Sequence, residues 1–251
     1  AHPCIVTVYD QGVDADGLPY LVMEHMAGGD LAGLLAGSDR RRLPIAHAVE
    51  IARAVCEGLE FAHGHGVVHG NLAPSNIWLA ADGDAKLGDF GEAADPSKLA
   101  DEDSETVATL APERATGSEA TARSDLYSLG AVLYEMVCGR PPFLGDERLA
   151  VIGQHVNTPP VAPSWHNAEC PQALEALILR LLEKDPQARP ASAADVAAAL
   201  GAIDPGAAAG AQRETGGALD AVATGVFVGR RQEMERLRAA LERALAGRGG
   251  L

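Results

Sequence analysis

An α+β fold, mainly helical and opening with two strands, is predicted by three patterns in the sequence. Residues 5–12 and 19–24 are rich in β-branched and aromatic side chains, and turn residues 14–17 separate them, which is typical of a β-hairpin. Residues 45–63 carry apolar side chains at steps of three and four, which predicts one face of a long helix. Residues 125–138 repeat this pattern and stop at a glycine, which predicts a second long helix.

The remaining predicted elements are shorter and lie between or after the two long helices. Further helices are expected over residues 31–36, 172–183 and 191–200. Brief strands around a loop are expected at three short apolar runs, residues 67–68, 77–79 and 85–87.

The charge balance and the cysteines limit the classes of partner. The chain has 20 Lys+Arg against 35 Asp+Glu, a net charge of −15, so nucleic acid and anionic membrane surfaces would repel it. Its four cysteines form no CxxC pair, so we expect free, mostly buried thiols rather than a metal site or a disulfide framework. No membrane span and no signal peptide are indicated, which predicts a cytoplasmic protein. The sequence indicates no oligomeric state.

Two motifs at a fixed separation carry the functional signal. The first is Val68-His69-Gly70-Asn71-Leu72-Ala73-Pro74-Ser75-Asn76, and the second is Asp89-Phe90-Gly91. Together they resemble the catalytic loop and the metal-binding motif of protein kinases, a far more specific signal than Asp-Phe-Gly alone.

The resemblance continues in register toward the C-terminus. Ala111-Pro112-Glu113 is similar to the end of the kinase activation segment, and residues 124–130 are similar to the start of the long buried helix of the large lobe. Arg189 falls at the family's last signature, where an arginine pairs with the glutamate of Ala-Pro-Glu, here Glu113. The match covers residues 2–200 and has the character of bacterial serine/threonine protein kinases.

The resemblance implies a domain organisation with four parts. Residues 1–24 would be the last two strands of the small lobe, and residues 25–200 the mainly helical large lobe. Residues 201–225 are rich in Ala and Gly and predict a linker. Residues 226–251 resemble the truncated start of an AAA-like ATPase module, the alternative being an isolated amphipathic helix with an arginine-rich solvated face. We expect the chain to be a fragment, with the glycine-rich loop, the strand lysine and its glutamate partner upstream of Ala1.

The resemblance also implies ATP and Mg²⁺ as cofactors and assigns residues to them. Asn76 and Asp89 would be the metal ligands. The backbone at Glu24 and Met26 would pair with adenine, Asp30 would contact ribose, and Trp78 would lie beneath the base. For each of these residues the alternative is a surface or capping role, and for Trp78 it is a packed core side chain.

The catalytic loop departs from the family pattern at its most important positions. Asn71 replaces the catalytic Asp, and an amide does not accept the proton of the acceptor hydroxyl. Ala73 replaces the lysine that lies against the γ-phosphate, and Gly70 replaces the arginine that anchors a phosphorylated activation loop. Thr106 keeps the position of the family's threonine near the substrate. Close by, Glu105 and Thr109 replace a glycine and an aromatic residue.

One histidine run offers a competing metal hypothesis. His63, His65 and His69 are spaced like ligands, yet they fall at the end of a predicted helix and the start of the loop. Packing and hydrogen bonding under the loop is the expected role of His69.

Two functions of different classes follow from these observations. The first is ATP-dependent phosphorylation of protein serine or threonine, impaired by Asn71 and Ala73. The second is a pseudokinase that binds or scaffolds, regulating the adjoining ATPase-like module. The partners expected are therefore a protein substrate or that module.

Overall fold

A computed structural model describes residues 1–90 and 104–206 of the chain. Two units are separated by their internal contacts, Ala1–Gly210 and Ala211–Leu251, and the described residues all belong to the first. The predicted linker beyond residue 206 and the predicted ATPase-like segment, residues 226–251, lie outside the described residues.

The predicted hairpin at the start of the chain is confirmed. Strands β1 (Val8–Val13) and β2 (Pro19–Met23) pair antiparallel, with Val13 opposite Pro19 and Val8 opposite Met23. The Asp14 carboxylate accepts the backbone N–H of Leu18 at 2.9 Å, which stabilises the turn. The large apolar side chains of this hairpin are exposed on both of its faces: Val8, Tyr9, Val13, Leu18, Tyr20, Leu21, Val22 and Met23.

Helices dominate the rest of the described chain. In order they are α1 (Leu31–Gly37), α2 (Ile45–Gly64), α3 (Ser104–Ala108), α4 (Pro112–Ala115), α5 (Ala122–Cys138), α6 (Arg148–Asn157), α7 (Gln172–Leu181) and α8 (Ala193–Gly201).

The core forms around α2 and α5, the two long helices that the periodicity predicts. Helix α2 packs against α5 on one side and α8 on another, and α7 covers α5. Helix α5 is buried almost all round, which is why its sequence is apolar on more than one face. Each fully buried apolar side chain contributes about 1.5–3 kcal/mol, so these contacts supply most of the stability.

A second two-stranded sheet positions the residues of the two motifs. Strands β3 (Ile77–Leu79) and β4 (Ala85–Leu87) pair antiparallel, with Ile77 opposite Leu87. Both strands were predicted. Their buried apolar side chains belong to the same hydrophobic core as the helices: Ile77, Leu79, Ala85 and Leu87.

The strand predicted at residues 67–68 is wrong. Gly66 adopts φ +74°, and the backbone N–H of Val67 bonds to the carbonyl of Ala62 at 2.9 Å, closing the end of α2. The backbone N–H groups of His69 and Gly70 bond to the Asp125 side chain of α5, and residues 67–68 pair with no strand among the described residues.

Helices α3, α4 and α6 were not predicted. The first two have five and four residues, too few for an apolar period to show. In α6 only Val151, Ile152 and His155 are buried, so its apolar stripe is narrow.

No helix among the described residues is long and apolar enough to cross a membrane.

Candidate active site

The catalytic loop is fixed from beneath by one buried carboxylate, Asp125 of α5. Its Oδ2 accepts the backbone N–H of His69 at 2.9 Å, and its Oδ1 accepts that of Gly70 at 2.8 Å. The His63 ring bonds to Oδ2 from the end of α2 at 2.8 Å. Because Asp125 is only 1% exposed, these bonds are shielded from water and hold the loop backbone to the core.

His69 links the catalytic loop to the Asp-Phe-Gly motif. Its Nε2 lies 3.0 Å from the carbonyl of Gly88, and its Nδ1 accepts the backbone N–H of Asn71 at 3.3 Å. This pattern requires the neutral ring with the proton on Nε2. Burial lowers the pKa of His69, which favours that form. The ring also packs against Phe90 at 4.6 Å between centroids, so the motif's histidine has the predicted structural role.

Three polar side chains meet above the loop. The Thr106 hydroxyl donates to Asn71 Oδ1 at 3.3 Å, and Asn76 Nδ2 donates to the carbonyl of Asn71 at 2.8 Å. The structure therefore brings together Asn71, Thr106 and Asn76, three residues to which the resemblance assigns roles in one site.

The two predicted metal ligands belong to neighbouring backbone segments. The N–H of Gly88 bonds to the carbonyl of Asn76 at 3.0 Å, so Asp89 follows directly after a residue paired with Asn76. Since Asn76 donates through Nδ2, its oxygen is directed away from Asn71, and the Ser75 hydroxyl lies 3.5 Å from it. One carboxylate and one amide oxygen are hard donors of the kind that Mg²⁺ prefers, so this pair fits the ion.

Trp78 lies in the middle of β3, beside the residue that precedes Asp89. It is paired across the sheet with Lys86 and joined to Asp30 by an isolated bridge. Its indole is partly exposed, so it is not the packed core side chain of the alternative interpretation. The indole Nε1 lies 3.4 Å from Asp89 Oδ2 and covers the backbone of Gly88.

The hinge residues are held by contacts of their side chains. Glu24 Oε1 accepts from Lys86 Nζ at 2.6 Å, and this bond lowers the pKa of the Glu24 carboxyl. Met26 is buried. Asp30 Oδ1 accepts the N–H of Gly33 at 2.7 Å, so this carboxylate caps α1. The adenine and ribose contacts stay predictions.

A carboxylate lies beside the position where the family's lysine is missing. Ala73 is buried, and Glu105 Oε1 accepts the backbone N–H of Ser75, two residues later, at 3.0 Å. The pKa of the Glu135 carboxyl in α5 is raised, first by burial and then by the negative charge of Glu105. Sequence reasoning noted the replacement of a glycine at position 105 but missed this contact.

The ion pair predicted by the last signature is confirmed. Arg189 Nη1 and Nη2 reach Glu113 Oε1 and Oε2 at 2.7 and 2.8 Å, a bidentate pair. The remaining donors of Arg189 bond to the carbonyls of Glu183, Arg123 and Lys184. Although burial opposes its ionisation, the Arg189 guanidinium holds the pKa of Glu113 below its usual value.

The competing histidine metal site is not formed. His63 bonds to Asp125, His65 to the carbonyl of Phe61, and His69 to Gly88. Within residues 1–90 and 104–206, no group of three or more His, Cys, Asp or Glu side chains is arranged to hold a metal ion.

Comparisons with known proteins agree with the architecture described above. The family model for the protein kinase domain matches residues 1–199. Serine/threonine-protein kinase PknB of Mycolicibacterium smegmatis is 40% identical over 210 residues, covering 79% of this chain and 33% of that protein. PknB of Mycobacterium leprae is 39% identical over 210 residues, covering 79% and 33%. The chain thus spans about a third of the length of these curated relatives.

A solved structure gives the same result for the fold. The crystal structure of Rad53 1-466 in complex with AMP-PNP superposes with a TM-score of 0.68 at 26% identity, covering 78% of this chain and 50% of that chain.

Proposed function

The chain belongs to the protein kinase family, and from that premise we propose that it is a serine/threonine kinase domain with impaired phosphoryl transfer. The observation that carries the proposal is a contrast between the backbone of the catalytic loop and its side chains. Its backbone is held by Asp125 and His69, while the side chains at positions 71 and 73 lack the base and the cation of the family.

Cofactor positioning supports the kinase part of this proposal. Protein kinases generally use ATP and Mg²⁺, and Asn76 and Asp89 would hold the ion in this chain. Bound there, Mg²⁺ would neutralise charge on the transferred phosphoryl group. Asn76 is pre-oriented for the task because its Nδ2 is already bonded to the loop.

Loss of the base supports the impairment. Asn71 Oδ1 can accept a hydrogen bond, and it already accepts one from Thr106, but an amide does not take up a proton near neutral pH. Asn71 therefore orients a hydroxyl without accepting its proton. Removing one positioned base typically lowers the rate by about 10²–10⁴-fold.

Charge at the neighbouring position supports the impairment independently. The family's lysine would offer a cation to the γ-phosphate, and this chain has Ala73 with the Glu105 carboxylate nearby at Ser75. A like charge beside a phosphate raises the free energy of the bound nucleotide and of the transition state.

A second candidate function is a pseudokinase that regulates an adjoining ATPase module. The bond between Glu105 and the Ser75 backbone favours this function, since an acidic side chain near the position expected for the γ-phosphate suits a domain that no longer transfers phosphate. The module itself rests on the resemblance of residues 226–251, and the protein substrate of the first function is likewise an expectation from the family.

The test is transfer of radiolabelled γ-phosphate from Mg-ATP by the natural protein that contains this segment. Label is expected at a low rate, and Asp89→Asn should abolish it. The double variant Asn71→Asp with Ala73→Lys should raise the rate by about 10²-fold or more, because it restores both the base and the cation. No label from either the natural protein or the double variant would refute the kinase proposal and leave the regulatory one.

A further inference from the structure

The indole of Trp78 contacts the carboxylate that the proposed function assigns to magnesium. Trp78 Nε1 lies 3.4 Å from Asp89 Oδ2, and an indole nitrogen is only ever a donor. The bond therefore engages one oxygen of Asp89 and leaves the other for a cation. Hydrogen bonds of this kind, from an outer group to a metal-binding carboxylate, fix the ligand's orientation.

Asp89 has an unusual backbone conformation and an exposed side chain, and the bond from Trp78 orients that side chain. The residue adopts φ +55°, a left-handed conformation that is uncommon for residues other than glycine. Its side chain is exposed, unlike that of Asp125 beneath the loop. An exposed carboxylate without a fixed rotamer loses conformational entropy when it binds an ion, and a preformed bond reduces that loss.

Trp78 is suited to this role because the indole is itself fixed. It belongs to β3, which pairs with β4 through Lys86, and the flanking residues Ile77 and Leu79 are buried. A Cβ atom at position 88 would lie 2.6 Å from Nε1, so the ring fits only because that residue is a glycine. The ring thus packs on the peptide that directly precedes Asp89.

From these contacts we propose that Trp78 is a positioning residue, whose indole N–H holds Asp89 in the orientation that binds a divalent cation. This inference rests on the proposed function, because it takes Asp89 to be the metal ligand. The role adds to the one that the resemblance predicts for Trp78 beneath adenine, because the same ring also contacts the predicted metal ligand.

The experiment measures Mn²⁺ binding to the full chain, alone and with excess ADP, by the electron paramagnetic resonance signal of free Mn²⁺. Trp78→Phe keeps an aromatic ring and removes the N–H, and it should weaken Mn²⁺ binding by about 10-fold, as loss of an outer-shell partner does. Gly88→Ala should have a similar effect, because the new methyl group would displace the indole. Trp165→Phe makes the same chemical change at a ring that is 78% exposed, and it should change nothing.

A spectroscopic measurement separates positioning from a structural role. The chain contains two tryptophans, so in the Trp165→Phe background the emission comes from Trp78 alone. Bound Mn²⁺ should quench that emission saturably, excess Mg²⁺ should restore it, and Asp89→Asn should abolish the effect. Thermal unfolding of each variant serves as the check that the fold is retained.

The outcomes distinguish this inference from the proposed function. Binding that depends on Asp89 but is equal or tighter in Trp78→Phe would overturn the positioning role and leave the magnesium site. No Asp89-dependent binding under either condition would overturn both.

Discussion

The catalytic loop has a lower side, which bonds to Asp125 of α5, and an upper side, which carries the Asn71 side chain. The two sides differ in how closely their residues follow the kinase pattern. Below, the Asp125 carboxylate and the His69 ring make a complete set of buried hydrogen bonds. Above, Asn71 and Ala73 stand where the resemblance to kinases predicts a base and a cation, and the negatively charged Glu105 bonds to the backbone at Ser75. The loop backbone is therefore held at His69 and Gly70 by the Asp125 carboxylate, a group to which the proposed function gives no part in phosphoryl transfer.

A difference of this kind is expected from the cost of each loss. A buried donor or acceptor without its partner lowers the free energy of unfolding by about 1–3 kcal/mol. Substitutions on the lower side, at Asp125 or His69, should therefore destabilise the fold. At the half-buried position 71, a change between Asp and Asn keeps the size of the side chain, so we expect it to change stability less than the loss of a partner of Asp125 does. Four predictions test how far the two sides are independent, beginning with the largest expected effect.

Arg189→Leu should lower the free energy of unfolding by about 3–5 kcal/mol. The substitution leaves the half-buried Glu113 carboxylate without its bidentate partner and three carbonyls without their donor. Urea unfolding would measure the loss. The matched control is Arg42→Leu, which breaks a 4.0 Å pair with Glu169, a side chain that is 82% exposed, and should lower the free energy of unfolding by under about 1 kcal/mol. Equal losses in the two variants would contradict the prediction.

Asp125→Asn should lower the free energy of unfolding by about 2–3 kcal/mol. The amide keeps one acceptor oxygen, but its NH₂ group would face a backbone N–H that now bonds to a carboxylate. Hydrogen exchange at His69 and Gly70 should speed up together with the drop in stability. Asp82→Asn, a change at an exposed turn, is the control and should alter neither quantity measurably. Unchanged exchange in Asp125→Asn would show that the lower side does not fix the loop.

Mild acid should destabilise the fold through the buried histidines, which stay neutral in the folded chain. Burial, and then the nearby Lys184, lower the pKa of His155 from 6.5 to about 3. Between these values the unfolded chain binds a proton that the folded chain does not, so the free energy of unfolding falls as pH falls. The loss from this group is at most about 2 kcal/mol between pH 6.5 and about pH 5.

Urea unfolding at a series of pH values would measure this dependence. Burial lowers the pKa of His69 as well, so the loop's own histidine adds to the effect with the same sign. His155→Gln should reduce the slope, while His25→Gln, at an exposed position, should leave it unchanged. A stability that stays flat from about pH 6.5 to about pH 5 would contradict the assignment of neutral buried histidines.

Glu105→Gln should have the smallest effect on stability, about 1 kcal/mol or less, because the amide oxygen still accepts the Ser75 N–H. In the Asn71→Asp, Ala73→Lys background, however, removing the negative charge should raise phosphoryl transfer further. A matched comparison is Glu119→Gln, whose side chain is exposed beyond α4. If both substitutions leave the rate of that background unchanged, the Glu105 charge has no part in the impairment.

The parts of the fold predicted correctly from the sequence are those with a long local pattern. Helices α2 and α5 have 20 and 17 residues, enough for an apolar period to be unambiguous. The Glu113–Arg189 pair joins residues 76 positions apart, and only the resemblance to a family could predict it.

The errors share a physical cause, which is dependence on tertiary contacts. Residues 67–68 are apolar enough for a strand, but the neighbouring backbone donors bond to α2 and to Asp125. The contact of Glu105 with Ser75 crosses 30 residues, and the bond from Trp78 to Asp89 depends on a glycine between them in space. The spacing of apolar residues along the sequence gives no information about such long-range contacts.

The exposed apolar side chains of the β1–β2 hairpin bear on how copies of this chain associate with one another. Strands β1 and β2 present apolar side chains on both faces, with Tyr9 67% and Val13 65% exposed. A short two-stranded ribbon of this kind has unpaired edges, and such edges are templates for pairing with another molecule. In residues 1–251 taken alone, this hairpin is therefore the segment that we expect to pair between molecules, and a charged substitution such as Val13→Lys should reduce that pairing.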